Sequence, residues 1–334
     1  MKIGIYDVDS HNFPNLPLMK ISAYHKANGD DVEWLDRFQH YDKVYVSKVF
    51  GDEYSLIDDT AINADEIIFG GTGFAITIEN NKEVYHKDRD IDLPDEIEHI
   101  YPDYSLYPQF KYAVGFLTRG CCNNCDFCIV SKKEGNCSHK VADLSEFWQG
   151  QKEIKLLDPN ILACKDRKEV LQQLIDSKVR VDFTQGLDAR FINDEIALLL
   201  KQIKVKMFHF AFDFMKNEKS IIKGLKTFVD VVKPPKEKCY VYVLTNYNTT
   251  FQEDMRRIEL VRECGLDPDV RIYRKETAPQ ITRDLQRWCN NRLIYRSQPD
   301  FMKYIPRVDG RTIKEIYFSA NTLTDERKGT CKRF

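Results

Sequence analysis

The sequence lacks any apolar run of the roughly 18 residues that a membrane-spanning helix needs, so no span is expected. Its N-terminus, MKIGIYDVDSHNF, lacks both a long apolar region and a small-residue cleavage site, and so reads as a first strand rather than a signal peptide. It lacks a charge excess: 50 basic against 52 acidic side chains give no global pull toward nucleic acid or an anionic membrane. Repeats of 20 to 50 residues and low-complexity tracts are absent as well, which excludes a solenoid. Paired cysteine spacing is missing outside one stretch. Cys137, Cys164, Cys239, Cys264, Cys289 and Cys331 stand singly, mostly in apolar or helical settings that suit buried free thiols. A disulfide scaffold is therefore excluded, and a reducing, cytoplasmic compartment is expected.

What is present is a chain of 334 residues, 43% apolar and 31% charged, long enough for two domains or one large barrel with an addition. Short apolar runs at KIGIY, DDVEWL, KVYVSKV and DEIIFGG, with an amphipathic segment over 16–27, predict an α/β unit over 1–92. Its last strand ends in Gly70-Gly71, where open α/β sheets bind ligands. Residues 93–110, rich in Pro, Tyr and acid, read as a linker. From 111 to 280, strands at YAVGFLT, EIKLLD, RVDFTQ, VKMFHFAF, CYVYVLT and DVRIYR alternate with helical stretches near 142–149, 165–177, 193–202, 217–230 and 252–264. Six such units predict a parallel barrel or partial barrel, with functional side chains just after the strand C-termini. Residues 281–334 form a basic C-terminal extension.

Four of the ten cysteines fall within TRGCCNNCDFCIV, residues 118–130. Cys122, Cys125 and Cys128 have ferredoxin-type spacing, but Lys132 stands where a fourth cysteine would continue that run. Cys121, Cys125 and Cys128 are spaced C-x3-C-x2-C, with Phe127 just before the last. Three thiolates on one loop suit a cubane cluster with one iron lacking a protein ligand. A zinc site completed by Cys137 or His139 is the competing reading.

The stretch GFLTRGCCNNCDFC resembles the cluster loop of the radical S-adenosylmethionine enzymes, in which a strand ends in this cysteine pattern and opens a (βα)6 partial TIM barrel. The resemblance covers roughly residues 110–275. It implies a 4Fe-4S cluster on Cys121, Cys125 and Cys128, an open iron that chelates S-adenosylmethionine, reductive cleavage to a deoxyadenosyl radical, and an external electron donor of flavodoxin or ferredoxin type. By position after the strands it points to Asp158, Asn160, Gln185, Asp188, Arg190, Asp213, Thr245 and Asn246 as cofactor contacts. Competing local roles are an Asx turn at Asp158 and Asn160, and an internal Asp188–Arg190 ion pair. Gly-Gly-Glu, which commonly binds the amino group of the cofactor, is missing after the second barrel strand.

The N-terminal unit resembles a Rossmann-like cobalamin-binding domain in the order of its motifs: Asp9-x-His11, then Ser47, then Gly70-Gly71. Pro14 replaces a glycine, Val49 replaces a leucine and the unit is short, so it reads as a reduced relative, with bound cobalamin disfavoured. No second cysteine cluster follows, which speaks against sulfur insertion. The substrate is open, nucleic acid or peptide among the classes, with methyl transfer among the reactions. A metal-stabilised module that binds nucleic acid or protein without catalysis is the alternative.

Overall fold

The computed structural model describes residues 1–60, 62–79, 82–307 and 310–319; Cys331 and the end of the basic extension from 320 lie outside them. The architecture is α/β on parallel sheets, divided into two compact units. The first holds Met1–Gln185 and Gln202–Lys206; the second holds Gly186–Lys201 and the described residues from Met207 on.

Four parallel strands open the first unit: β1 (Lys2–Asp7), β2 (Asp31–Trp34), β3 (Tyr41–Ser47) and β4 (Ala64–Gly70), in the order β2-β1-β3-β4. The helix Leu16–Ala27 starts at Asn15, whose side chain accepts the amide of Leu18, and stops before Asn28 and the positive-φ Gly29. Among the described residues no helix lies between β2 and β3 or between β3 and β4. A hairpin of β5 (Ile76–Glu79) and β6 (Lys82–Tyr85) follows.

The expected linker over 93–110 proves to be core. Ile97, Leu106 and Tyr107 join Ile3, Ile5, Leu18, Met19 and Val114 in one buried cluster. The apolar side chains interleaved with its prolines and acids are what bury it, so no boundary falls near 92 or 110.

Next come β7 (Ala113–Gly115), β8 (Thr118–Arg119), β9 (His139–Lys140), β10 (Glu153–Leu156), β11 (Arg180–Phe183) and β12 (Lys204–Val205). β7, β10, β11 and β12 form a parallel sheet in chain order, while β8 and β9 pair antiparallel. In the second unit β13 (Phe208–Ala211), β14 (Cys239–Thr245) and β15 (Asp267–Ile272) form a parallel sheet, again in chain order. The helices Arg167–Ser177, Glu218–Val232 and Phe251–Glu263 stand where helical periodicity placed them. The expected helix over 142–149 is only the short turn Leu144–Glu146.

One expected strand, VKMFHFAF, is split into β12 and β13, in two different sheets. Lys206 marks the break. Its amide donates to the carbonyl of Val181, and its ammonium pairs with Glu153 at 2.8 Å and Asp182 at 3.3 Å, which ties it to the β10–β11 edge.

In both sheets burial alternates along the strands. Ile154, Leu156, Val181 and Phe183 are buried in the first unit, while Glu153, Lys155 and Asp182 are not fully buried. Val241 and Val243 are buried in the second, whereas Tyr240 and Tyr242 keep some exposure. Each sheet thus has one apolar and one polar face, unlike the continuous apolar runs of a parallel sheet covered on both sides.

Candidate metal centre

The cysteine loop follows β8 and is closed at its neck. β8 pairs with β9 through Thr118 with Lys140 and Arg119 with His139, so the ladder brackets residues 120–138. Just inside it, the Gly120 amide donates to the Glu134 carboxylate at 3.1 Å and the Cys121 amide donates to the Gly135 carbonyl at 3.1 Å. Gly120 has φ +82°, and a Cβ there would collide with the carbonyl oxygen of Cys137, so only glycine fits beside the first cysteine.

Asp158, one residue past Leu157 and β10, braces the approach to this loop. Its buried carboxylate accepts from the Leu117 amide at 3.2 Å, from the Thr118 amide, and from the Thr118 hydroxyl at 2.7 Å. Burial pushes its pKa up to about 6, against the downward pull of those donors. The structure thus gives it a bracing role at the strand end that delivers the cysteines.

Cys121, Cys125 and Cys128 are half-buried, Cys122 and Cys137 are exposed, and the nine described cysteines are all free thiols. Cys121 differs from its neighbour in its surroundings. Its sulfur accepts from the Asn123 amide at 3.4 Å and from the Asn160 side-chain amide at 3.5 Å, whereas the Cys122 sulfur lies 4.0 Å from the Asn123 side-chain oxygen. Hydrogen bonds to a cysteine sulfur tune any cluster it carries. Asn160 therefore reaches the expected ligand set itself.

Among the described residues, no three His, Cys, Asp or Glu side chains stand close enough together to hold a metal ion. The donor set still fits an iron–sulfur cluster in kind: three free, half-buried thiols on one necked loop, with two N–H donors to the first. A zinc site fits less well. The Cys137 thiol is directed at the Ser138 carbonyl, and the exposed His139 imidazole lies 3.1 Å from the Cys137 carbonyl.

The other expected contacts are distributed over both units. Gln185 is exposed in the first. In the second, Arg190 grips Asp188 through two parallel bonds, Nε to Oδ1 at 2.9 Å and Nη2 to Oδ2 at 2.6 Å, which is the internal ion pair. Asp213 accepts the Leu244 amide at 3.3 Å, and burial holds its carboxyl above the usual range. Thr245 is buried. Asn246, at φ +62°, donates its side-chain amide to the Tyr273 carbonyl at 2.8 Å and thereby fixes the turn after β15.

Arg257 was invisible as a site residue in the sequence. It is fully buried and donates to the carbonyls of Phe212, Asp213 and Leu244, at 2.8, 2.7 and 2.8 Å, and to Asp254. Its guanidinium collects carbonyls at the C-terminal ends of β13 and β14. The available signal was the i, i+3 pair Asp254–Arg257 on a helix opened by the Thr250–Glu253 capping box.

The charged groups at the loop neck were also missed. Arg119 lies 3.3 Å from both Glu98 and Glu134, and Lys133 lies 3.1 Å from Asp90. These residues line a cleft of about 820 Å3 together with Ser47, Gly70 and Gly71.

No protein-family model matches the chain, and no curated protein sequence matches it either.

Proposed function

We propose that this chain is a radical S-adenosylmethionine enzyme whose 4Fe-4S cluster is held by Cys121, Cys125 and Cys128, on a Rossmann-like unit followed by a (βα)6 partial barrel. The observation that carries the reading is the cysteine loop itself. It leaves β8 through an obligatory glycine, is necked by the β8–β9 ladder, and aims two N–H donors at the Cys121 sulfur. The parallel, chain-order strand addition in the β7–β12 and β13–β15 sheets is further support, since successive βα units add strands in that way.

When bound, the cluster would supply one electron for reductive cleavage of S-adenosylmethionine, which would itself provide the radical or a methyl group for transfer. The chain's own residues have separate tasks. Asp158 fixes Leu117 and Thr118, and so the direction in which the loop departs. Asn160 donates to the Cys121 sulfur and holds it in place. Gln185, Thr245 and Asn246 remain the polar groups assigned to S-adenosylmethionine. Asp188 and Arg190, joined as an ion pair, are assigned to it together. The nine free thiols suit the cytoplasm, where a flavodoxin- or ferredoxin-type donor would deliver the electron.

The test is anaerobic reconstitution with iron and sulfide, followed by dithionite and S-adenosylmethionine. The expected outcome is a brown protein that produces 5'-deoxyadenosine or S-adenosylhomocysteine. A colourless protein that retains zinc instead would overturn the proposal in favour of a metal-stabilised binding module.

A further inference from the structure

The N-terminal sheet carries the residues that the resemblance assigns to cobalamin, and the fold uses them internally. The buried Asp9 carboxylate accepts the amides of Val49 at 2.8 Å and Phe50 at 3.0 Å. Ser47 accepts from the Asn15 side chain at 2.9 Å, and Asn15 is at the same time the cap of the helix Leu16–Ala27. Lys48, fully buried, pairs with Asp52. Gly71 has φ +96°, and a Cβ there would run into the Lys48 backbone, so this glycine is demanded by chain packing rather than by a ligand. His11 is exposed. These residues do not fit a corrinoid.

What the segments after that sheet do hold is the neck of the cysteine loop. Lys133, on the helix Val130–Glu134, pairs with Asp90 at 3.1 Å and donates to the hydroxyl of Thr72, next after Gly70-Gly71. Asp90 is buried and also accepts the Tyr85 hydroxyl at 2.7 Å. At the other end of the loop, Arg119 reaches Glu98, which pairs with Lys20 of the helix Leu16–Ala27 at 3.0 Å. Glu134 closes the circuit by binding both Arg119 and the Gly120 amide. Both ends of residues 120–135 are thus fastened to elements of the first hundred residues. The Lys133–Asp90 pair is shielded enough from solvent to exceed an ordinary surface ion pair.

We propose that the segment carrying Thr72, Asp90 and Glu98, which follows the N-terminal sheet, is a corrinoid-free clamp on the cysteine loop, with Lys133 as its positioning residue. The clamp itself rests on the fold alone; its effect on a cluster rests on the function proposed above.

Hydrogen–deuterium exchange on the metal-free full chain separates the two. In Lys133→Met the amides of 120–135 should exchange about tenfold faster, the scale of one lost charge-assisted bond. Lys133→Arg, which keeps the charge at Asp90, should stay within about twofold of the wild type, and β1 should be unchanged in both. If Lys133→Met fails to fold, Thr72→Val removes the second acceptor and should give a smaller acceleration in the same segment. In reconstituted protein, Lys133→Met should lose iron and shift the electron paramagnetic resonance signal of the reduced cluster, with Lys133→Arg restoring both. Unchanged exchange over 120–135, or equal acceleration throughout the first unit, would overturn the clamp. So would hydroxocobalamin co-eluting with the chain through gel filtration. A wild type that shows the exchange pattern but builds no cluster would sustain the clamp and sink the cluster reading.

Discussion

The carboxylate of Asp158 and the backbone of Thr118, 40 residues apart in the chain, are joined so closely that one side chain determines where the cysteine loop begins. Removing that side chain leaves three donors without a partner in a buried place. Asp158→Ala should therefore lower unfolding stability by about 2 to 4 kcal/mol, more than a typical single hydrogen bond. Urea denaturation followed by circular dichroism reads this directly, and a loss below about 1 kcal/mol would show that the brace is dispensable.

The same carboxyl makes stability depend on pH in a defined direction. Its folded pKa of about 6 lies above the unfolded value of about 4, so between those limits the folded chain holds more protons than the unfolded one. Stability is then fully present below about pH 4 and falls as the pH rises through about 6, by about 3 kcal/mol from this group. Burial shifts Asp213, Asp254 and Asp269 the same way, so the wild-type slope contains several contributions. Comparing Asp158→Asn with the wild type isolates one of them: the variant should show a shallower decline between about pH 4 and pH 6.

Cys121 and Cys122 are adjacent, and the Cys121 sulfur accepts the Asn123 amide at 3.4 Å and the Asn160 side-chain amide at 3.5 Å. Cys121→Ala should abolish iron and sulfide incorporation on reconstitution, whereas Cys122→Ala should retain most of it. Asn160→Ala should keep the iron and alter the reduction potential of the cluster, measured by redox titration. If Cys122→Ala proves to be the null variant, the ligand register is Cys122, Cys125 and Cys128.

Arg257 satisfies three carbonyls and one carboxylate without contact with solvent. Arg257→Met keeps the length of the stem and deletes the donors, and it should cost about 3 to 5 kcal/mol by stranding Asp254 as an unpaired buried charge. Thermal unfolding of the single variant and of the double variant with Asp254→Asn checks the mechanism: the second change should recover part of the loss.

Strand positions in the N-terminal sheet were legible because Val, Ile, Tyr and Trp alternate there over short runs bounded by turn residues. The helix Leu16–Ala27 was legible for a similar reason, through Asn15 and the Asn-Gly stop. The linker reading failed because Pro, Tyr and acid suggest exposure by composition, while Ile97, Leu106 and Tyr107 decide burial by their contacts. VKMFHFAF looked continuous because its apolar run is unbroken by turn residues, and only the long-range pairs of Lys206 cut it. Within the site, the spacing made the cysteines visible. Lys133 and Arg119 were not visible, because their partners Asp90 and Glu98 lie more than twenty residues away, and Arg257 showed only its i, i+3 pair with Asp254 and not the carbonyls it collects.

The burial of Ile97, Leu106, Tyr107 and Val114 with Ile3 and Ile5 also has a genealogical meaning. A domain that owns its hydrophobic interior can be exchanged between genes as a cassette. Here the opening sheet borrows part of its interior from the segment that follows, so recombination at residue 92 would cut through a shared core and leave both fragments with exposed apolar surface. Descendants of this chain can vary its loops, but they inherit its first 115 residues as one piece.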